Sequence, residues 1–161
     1  MFIIKASFTE KFEVNSGIKK VREFFGENRH IVEMMDGVDS IHTDGKGITH
    51  WKIRAEVPLI FSLTVSFAVE LAEKNEDRIE WIPARGEAQN FLKYSAEFFE
   101  MHEDLTIVQL MQAVEIRRKS ARELHPLAGL AGENLISMEM KRRINEMVEN
   151  FIGKARKRLE T

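Results

Sequence analysis

The sequence predicts an α+β fold in which a seven-stranded antiparallel sheet curls around one long C-terminal helix. Three observations predict it. Apolar residues recur with a period of two in residues 2–14 and again from residue 38 to about residue 118. Two short segments with helical spacing lie between these regions. After His125-Pro126 a helical pattern of six or seven turns runs to the end of the chain.

The first strand and the two short helices come from the N-terminal part of the chain. Residues 2–14 alternate as a half-buried strand does, and Glu10 is the one charged residue on the apolar side. A carboxyl group buried there could act as a general base; the alternative is an acid with its head group in water. Helical spacing of apolar residues then predicts one helix that ends at Gly26 and a second that ends at Gly37.

Turn signals divide the middle of the chain into six further strands. The predicted strands lie near residues 38–43, 48–57, 60–73, 78–83, 88–100 and 105–117. Because the turns between them are too short for the crossovers that parallel strands need, these strands must be antiparallel. A sheet of this length twists, and its apolar face needs the C-terminal helix as a cover.

The long helix is amphipathic. Met140, Met147 and Phe151 belong to its apolar side, which repeats at steps of three and four residues. Residues 129–132, Gly-Leu-Ala-Gly, lack the preceding strand and the lysine of a phosphate-binding loop. We expect this segment to loosen the start of the helix.

Composition narrows the function classes. The chain has 161 residues, of which 43% are hydrophobic, and a formal net charge of −2. We expect one domain, residues 1–161, with no nucleic-acid partner, since no broad positive field is indicated. The absence of cysteine excludes disulfides and thiolate chemistry. No apolar run approaches the roughly 20 residues of a membrane span, so we expect a cytoplasmic protein without stable membrane insertion.

The hairpin within residues 34–53, MMDGVDSIHTDGKGITHWKI, raises the question of a site. If Thr43 pairs with Ile48, then His42 and Trp51 share one face of the sheet and His50 points to the other. Under this register the two histidines cannot bind one metal ion, and we expect no metal site. His42 would then be a polar contact at a cavity mouth, or an exposed histidine near the hairpin tip.

The order of elements and this hairpin resemble the START/SRPBCC superfamily, the helix-grip fold of the major birch pollen allergen. Ile31–Ile41, with its Asp36-Gly37, and Ile48–Ile53 are similar to the branch that holds polyketide-cyclase-like and carbon-monoxide-dehydrogenase-associated proteins. That branch usually shows Pro-Gly at the position of Asp36-Gly37. The resemblance covers nearly the whole chain. It implies a hydrophobic cavity between sheet and C-terminal helix, which the superfamily uses for lipids, sterols, quinones and polyketides.

The residues expected to line this cavity come from the apolar sheet face and the helix. Trp51 and Trp81 each carry an indole N–H that needs a partner when buried, so they fit a partly polar pocket. Flexible methionine side chains adapt to irregular apolar ligands. The candidate ligand-binding residues are His42, Trp51, Phe67, Trp81, Tyr94, Met140, Met147 and Phe151. Ordinary core packing is the alternative for each of them.

Three functions follow from these expectations. The first is binding or transport of a hydrophobic or amphipathic small molecule, with no cofactor and no assigned catalytic residue. The second is an enzyme of the cyclase or hydrolase type, for which Glu10 and His42 are the only candidate ionisable residues. The third is an interaction module whose cavity is filled. Both faces of strands 88–100 and 105–117 are partly apolar, so the outer face could also be covered by a second copy in a homodimer.

Overall fold

A computed structural model describes residues 1–161 and contains seven strands and four helices. The strands are β1 (Phe2–Val14), β2 (Val38–Thr43), β3 (Thr49–Val57), β4 (Phe61–Lys74), β5 (Arg78–Pro83), β6 (Asn90–His102) and β7 (Leu105–Arg118). The helices are α1 (Ile18–Phe25), α2 (Asn28–Met34), α3 (Ala121–Leu124) and α4 (Ala128–Leu159). The predicted element order is confirmed, and the short helix α3 is an addition to it.

All seven strands form one antiparallel sheet in the order β1-β7-β6-β5-β4-β3-β2. Strands β2 to β7 are neighbours in sequence and in space, as short turns require. β1 joins the far edge, where it pairs with β7 along its whole length, from Phe2 opposite Arg118 to Val14 opposite Thr106. The N-terminal strand is therefore held by the last strand of the meander.

Helix α4 covers the inner face of the sheet. It contacts β1 at one edge and β3 near the other edge, which shows that the sheet curls around the helix. Forty buried apolar residues form one continuous cluster between the two layers. The predicted break at the start of the helix is confirmed at Gly132, whose φ of 80° and ψ of 161° interrupt α4. None of the four helices combines the length and hydrophobicity that a membrane span requires.

Side chains of α4 also protect the exposed edge of β1. Glu133 Oε1 accepts a hydrogen bond from the backbone N–H of Ile3 at 3.0 Å, and Ser137 Oγ accepts one from that of Lys5 at 3.4 Å. Unpaired edge groups are a template for pairing with other chains. The helix thus covers the apolar face and satisfies part of the polar edge.

An aromatic cluster fixes α1 against the other end of α4. The ring centroid of Phe25 lies 5.9 Å from that of Phe151, 6.0 Å from that of Phe98 and 6.3 Å from that of Phe12. These rings come from a short helix, the long helix and two strands. Their contacts are worth about 0.5–1.5 kcal/mol per pair beyond the apolar area they bury.

The pairing of β6 with β7 differs by one residue from the predicted alignment, which placed Tyr94 opposite Ala113. His102 pairs with Leu105, but the next pair is Glu100 with Thr106, so Met101 is an extra residue on β6. This bulge shifts every later pair by one position. Tyr94 therefore lies opposite Gln112, and both side chains are on the inner face.

The turn between α2 and β2 gives a test of packing against α4. Gly37 has a φ of 100°, and a Cβ added there would lie 3.1 Å from Met147 Sδ. We expect Gly37→Ala to lower the free energy of unfolding by about 1–3 kcal/mol because the backbone is strained and the sulfur must move. Urea unfolding measures the change.

Gly45→Ala is the matched control because Gly45 has no atom within 4 Å of an added Cβ and no positive φ. It should change the free energy by less than about 0.5 kcal/mol. Equal unfolding midpoints for the two variants would contradict the strain assigned to Gly37.

Candidate functional site

Three polar side chains meet in the interior beneath α4. Trp51 of β3, Tyr94 of β6 and Gln112 of β7 are each 0% exposed. The ring centroids of Trp51 and Tyr94 lie 5.6 Å apart, and Tyr94 is directly opposite Gln112 on the neighbouring strand. We call these three residues the polar cluster.

The polar cluster contains every buried side-chain polar atom that has no hydrogen-bond partner in the protein. These atoms are Trp51 Nε1, Tyr94 Oη, Gln112 Nε2 and Gln112 Oε1. Elsewhere in the core, Thr106 Oγ1 donates to the carbonyl oxygen of Ser16 at 2.9 Å. An unpaired buried polar group costs about 1–3 kcal/mol. Three such residues in contact therefore indicate a site rather than a packing defect.

The chemistry of the polar cluster suits a neutral oxygen group. Burial raises the pKa of Tyr94, so its phenol stays protonated and can donate a hydrogen bond. The Trp51 indole N–H is a donor only, and the Gln112 amide both donates and accepts. No Asp, Glu, His, Lys or Arg is among the buried residues, so the interior offers no charge to pair with an ionised ligand. A hydroxyl or carbonyl group matches these atoms best.

A small cavity adjoins the polar cluster. Phe67, which lines the cavity, is the cross-strand partner of Trp51, and Val114, which also lines it, follows Gln112 by two residues on the same face. The cavity volume is about 10 Å³, which is close to the minimum that holds one water molecule. Its apolar lining is completed by Ile53, Ala55, Val65, Met140, Ile144 and Met147. Side chains therefore fill most of the space that was expected to be open.

The structure separates the predicted ligand-binding residues into groups. Phe67, Met140 and Met147 line the cavity, and Trp51 and Tyr94 belong to the polar cluster. Two further residues lie outside both groups.

Phe151 is buried in the aromatic cluster with Phe25, away from the cavity lining. Trp81 is partly buried and lies opposite Tyr94 on β5. Gln112 was not predicted, because the predicted strand alignment placed it on the outer face. The bulge at Met101, which has no signal in the hydrophobic alternation, turns it inward.

The predicted register of the β2–β3 hairpin is wrong by one residue. Asp44 Oδ1 accepts hydrogen bonds from the backbone N–H groups of Lys46 and Ile48, so Ile48 belongs to the loop. Thr43 consequently pairs with Thr49, and His42 pairs with His50.

The two histidine rings stack on one face with their centroids 5.2 Å apart, contrary to the prediction that they point apart. His42 is exposed on the outer face, so it does not contact the interior. Glu10 is also exposed, which removes both candidate catalytic residues from the cavity. No group of three or more His, Asp or Glu side chains is arranged to hold a metal ion.

Comparison with known proteins supports the fold. No protein-family model matches the chain, and no curated protein matches it. Among solved structures, the Zhui aromatase/cyclase from a Streptomyces species is 12% identical, with 96% of this chain and 95% of that chain covered and a TM-score of 0.61. A START superfamily protein from Mycobacterium smegmatis is 13% identical, with 96% and 97% covered and a TM-score of 0.58.

A conserved protein from Geobacillus kaustophilus is similar in the same way. It is 9% identical, with 97% of this chain and 95% of that chain covered and a TM-score of 0.64. The chain therefore has the helix-grip fold that START proteins and polyketide aromatase/cyclases share, and the predicted resemblance is confirmed at the level of the fold. Identities this low carry the fold and leave the function to the site itself.

The β2–β3 loop gives a pH-dependent prediction. Hydrogen bonds from His50, at 2.8 Å, and from the Lys46 backbone lower the pKa of Asp44 from 3.8 to about 2. A pKa that is lower in the folded state means that the carboxylate stabilises the fold above pH 3.8 and that this contribution is lost as the pH falls through about 2. We expect the stability advantage of the native protein over Asp44→Asn to shrink across this window. Urea unfolding of both proteins at a series of pH values measures it, and a constant difference would contradict the assignment.

The unpaired amide of Gln112 predicts a stabilising substitution. Gln112→Met keeps the length of the side chain and removes two polar atoms without partners. We expect the free energy of unfolding of the ligand-free protein to rise by about 1–2 kcal/mol. Thr106→Val is the control, because it removes a hydroxyl that does have a partner and should destabilise by about 1 kcal/mol. Loss of stability in Gln112→Met would show that the amide is already satisfied.

Proposed function

We propose that the protein binds a neutral amphipathic small molecule between the sheet and α4. Its oxygen-bearing end is hydrogen-bonded by the polar cluster, and its apolar body lies among the residues that line the small cavity. The observation that carries the proposal is the set of four buried polar atoms without partners, all in three neighbouring residues. A ligand hydroxyl or carbonyl group would satisfy them together, which removes a cost that the folded chain otherwise bears.

Binding requires the interior to expand, because a volume of about 10 Å³ is too small for an organic molecule. Met140 and Met147 of α4 line the cavity, and their unbranched side chains repack with little strain. The break at Gly132 separates the first turn of α4 from the rest of the helix. Burial of ligand area, at about 25 cal/mol per Å², supplies the free energy for the repacking.

An interaction module with a filled interior is the second candidate. The small cavity volume favours it directly. Phe99 and Met101 of β6 are 41% and 56% exposed, and such apolar side chains are where a partner protein or a second copy would dock. Under this proposal the polar cluster holds ordered water, and no organic ligand enters.

A role of the cyclase type is a third proposal that shares the ligand site. Tyr94 is the only titratable side chain among the buried residues. Its raised pKa keeps it protonated, so it could orient or polarise a carbonyl group but could not serve as a base near neutral pH. Ligand binding is the part of this proposal that the geometry supports best.

Matched probes test ligand binding. We expect 2-naphthol and 2-acetonaphthone to bind about tenfold more tightly than naphthalene, because one satisfied buried polar group is worth about 1.4 kcal/mol. Tyr94→Phe should reduce this preference while leaving naphthalene binding unchanged. Isothermal titration calorimetry and thermal shift measure the affinities, and a negative heat-capacity change would mark burial of apolar area.

Two results would contradict the proposal. Equal affinity for naphthalene and its oxygenated analogues in the native protein would show that the polar cluster does not contact the ligand. Absence of binding for every probe, with Gln112→Met as stable as expected, would favour the filled interaction module. Native mass spectrometry of protein purified without detergent from its host would then identify any bound molecule or partner chain.

A further inference from the structure

The largest open cavity of the protein lies on the outer face of the sheet, opposite the polar cluster. It is a groove of about 610 Å³ across β1, β7 and β6. Its rim carries Lys5, Lys93, Arg117 and Lys141, with Glu115 as the one acidic residue. We call this feature the outer groove. No residue of the polar cluster lines it.

Small residues create the groove. Ser7 of β1 lies directly opposite Ala113 of β7, and Ala113 lies directly opposite Lys93 of β6. The short side chains of Ser7 and Ala113 leave a depression in the middle of the sheet surface. The longer side chains of Phe91, Lys93 and Arg117 stand around it. The hollow therefore follows from the sequence of the outward-facing positions and does not depend on a mobile loop.

The groove is strongly positive although the whole chain carries a net charge of −2. Glu115 is occupied, because Lys5 Nζ lies 3.3 Å from its carboxylate and Arg117 Nε donates a hydrogen bond to it. Partial burial acts to raise the pKa of Glu115, but these two partners outweigh it and hold the pKa below its ordinary value. Glu115 thus stays ionised and balances about one of the four cations.

Two lysines in the groove have no acidic partner. Lys93 and Lys141 make no ion pair within 4.0 Å and no side-chain hydrogen bond. Lys141 reaches the groove from the edge of the sheet, because it lies one turn beyond Ser137 and two turns beyond Glu133 along α4. Both of those residues accept hydrogen bonds from the backbone of β1. The helix therefore adds a cation to a surface formed by three strands.

An aromatic side chain completes the groove. The guanidinium carbon of Arg117 lies 4.8 Å from the ring centroid of Phe91. This cation–π contact holds the arginine and orients a flat apolar wall beside the cations. A ligand with an anionic group and a planar ring would contact both the charge and the wall.

We propose that the outer groove binds a small organic phosphate or carboxylate whose anionic group is attached to a planar ring. The anionic group is bound by Lys93, Lys141 and the free guanidinium nitrogens of Arg117. The ring packs on Phe91 over the floor made by Ser7 and Ala113. This site is independent of the proposed interior ligand, because alternate residues of β6 and β7 face opposite sides of the sheet.

Phenyl phosphate is the probe for the first test, with inorganic phosphate and phenol as its two halves. We expect saturable amide shifts in NMR titrations at Ser7, Lys93 and Ala113, and tighter binding of phenyl phosphate than of either half. Raising the salt concentration should weaken binding, since the lysines are exposed.

Matched double variants make the test specific. Lys93→Gln with Lys141→Gln should weaken phenyl phosphate binding about tenfold, because two exposed charge contacts are lost. Lys52→Gln with Lys157→Gln removes one exposed strand lysine and one exposed helix lysine outside the groove, and should leave the affinity unchanged. Tyr94→Phe should also leave it unchanged, which separates this site from the interior one.

Three results would overturn the proposal. The first is equal binding by the two double variants. The second is equal affinity for inorganic phosphate and phenyl phosphate, which would indicate diffuse attraction to surface lysines. The third is the absence of any saturable shift in the groove. Because the substituted lysines are exposed and make no ion pair, both double variants should unfold at the native midpoint, so a loss of binding reports on the site.

Discussion

Burial of the inner sheet face beneath α4 is the interaction on which the rest of the structure depends. The sheet exposes one apolar face, and a single helix covers it from β1 to β3. A flat sheet could not be covered by one helix, so the curl of the sheet follows from this constraint. The same helix supplies the acceptors for the edge of β1 and brings Lys141 to the outer face. Packing in the core therefore places residues at both proposed sites.

The polar cluster runs against this packing. Trp51, Tyr94 and Gln112 occupy fully buried positions where apolar side chains of similar size would fit. Core positions with unpaired polar atoms lower stability unless a partner is supplied. The cost is borne in a fold whose interior offers apolar volume beside these atoms, lined by methionines that repack easily. A ligand that brings its own oxygen atom converts that cost into affinity and selectivity.

Hydrophobic alternation was enough to predict the elements but not the register between them. The seven strands begin and end within two residues of the predicted positions, because burial of one face dictates the period. Register depends on single extra residues. Asp39 in β2 and Met101 in β6 are the bulged positions, and Asp44 lengthens the neighbouring loop through its hydrogen bonds. Hydropathy carries no signal for these local bonds, so His42 was placed inward and Gln112 outward.

The bulge at Met101 also decides which chemistry each face of β6 and β7 presents. A strand changes faces at every residue, so a shift of one position exchanges the two sets of side chains. With the observed pairing, Tyr94 and Gln112 meet inside while Lys93 and Ala113 meet outside. The neutral, hydrogen-bonding interior and the cationic outer groove are thus the two faces of the same pair of strands. Both depend on one extra residue near the hairpin end, where the backbone, and not the hydrophobic pattern, sets the register.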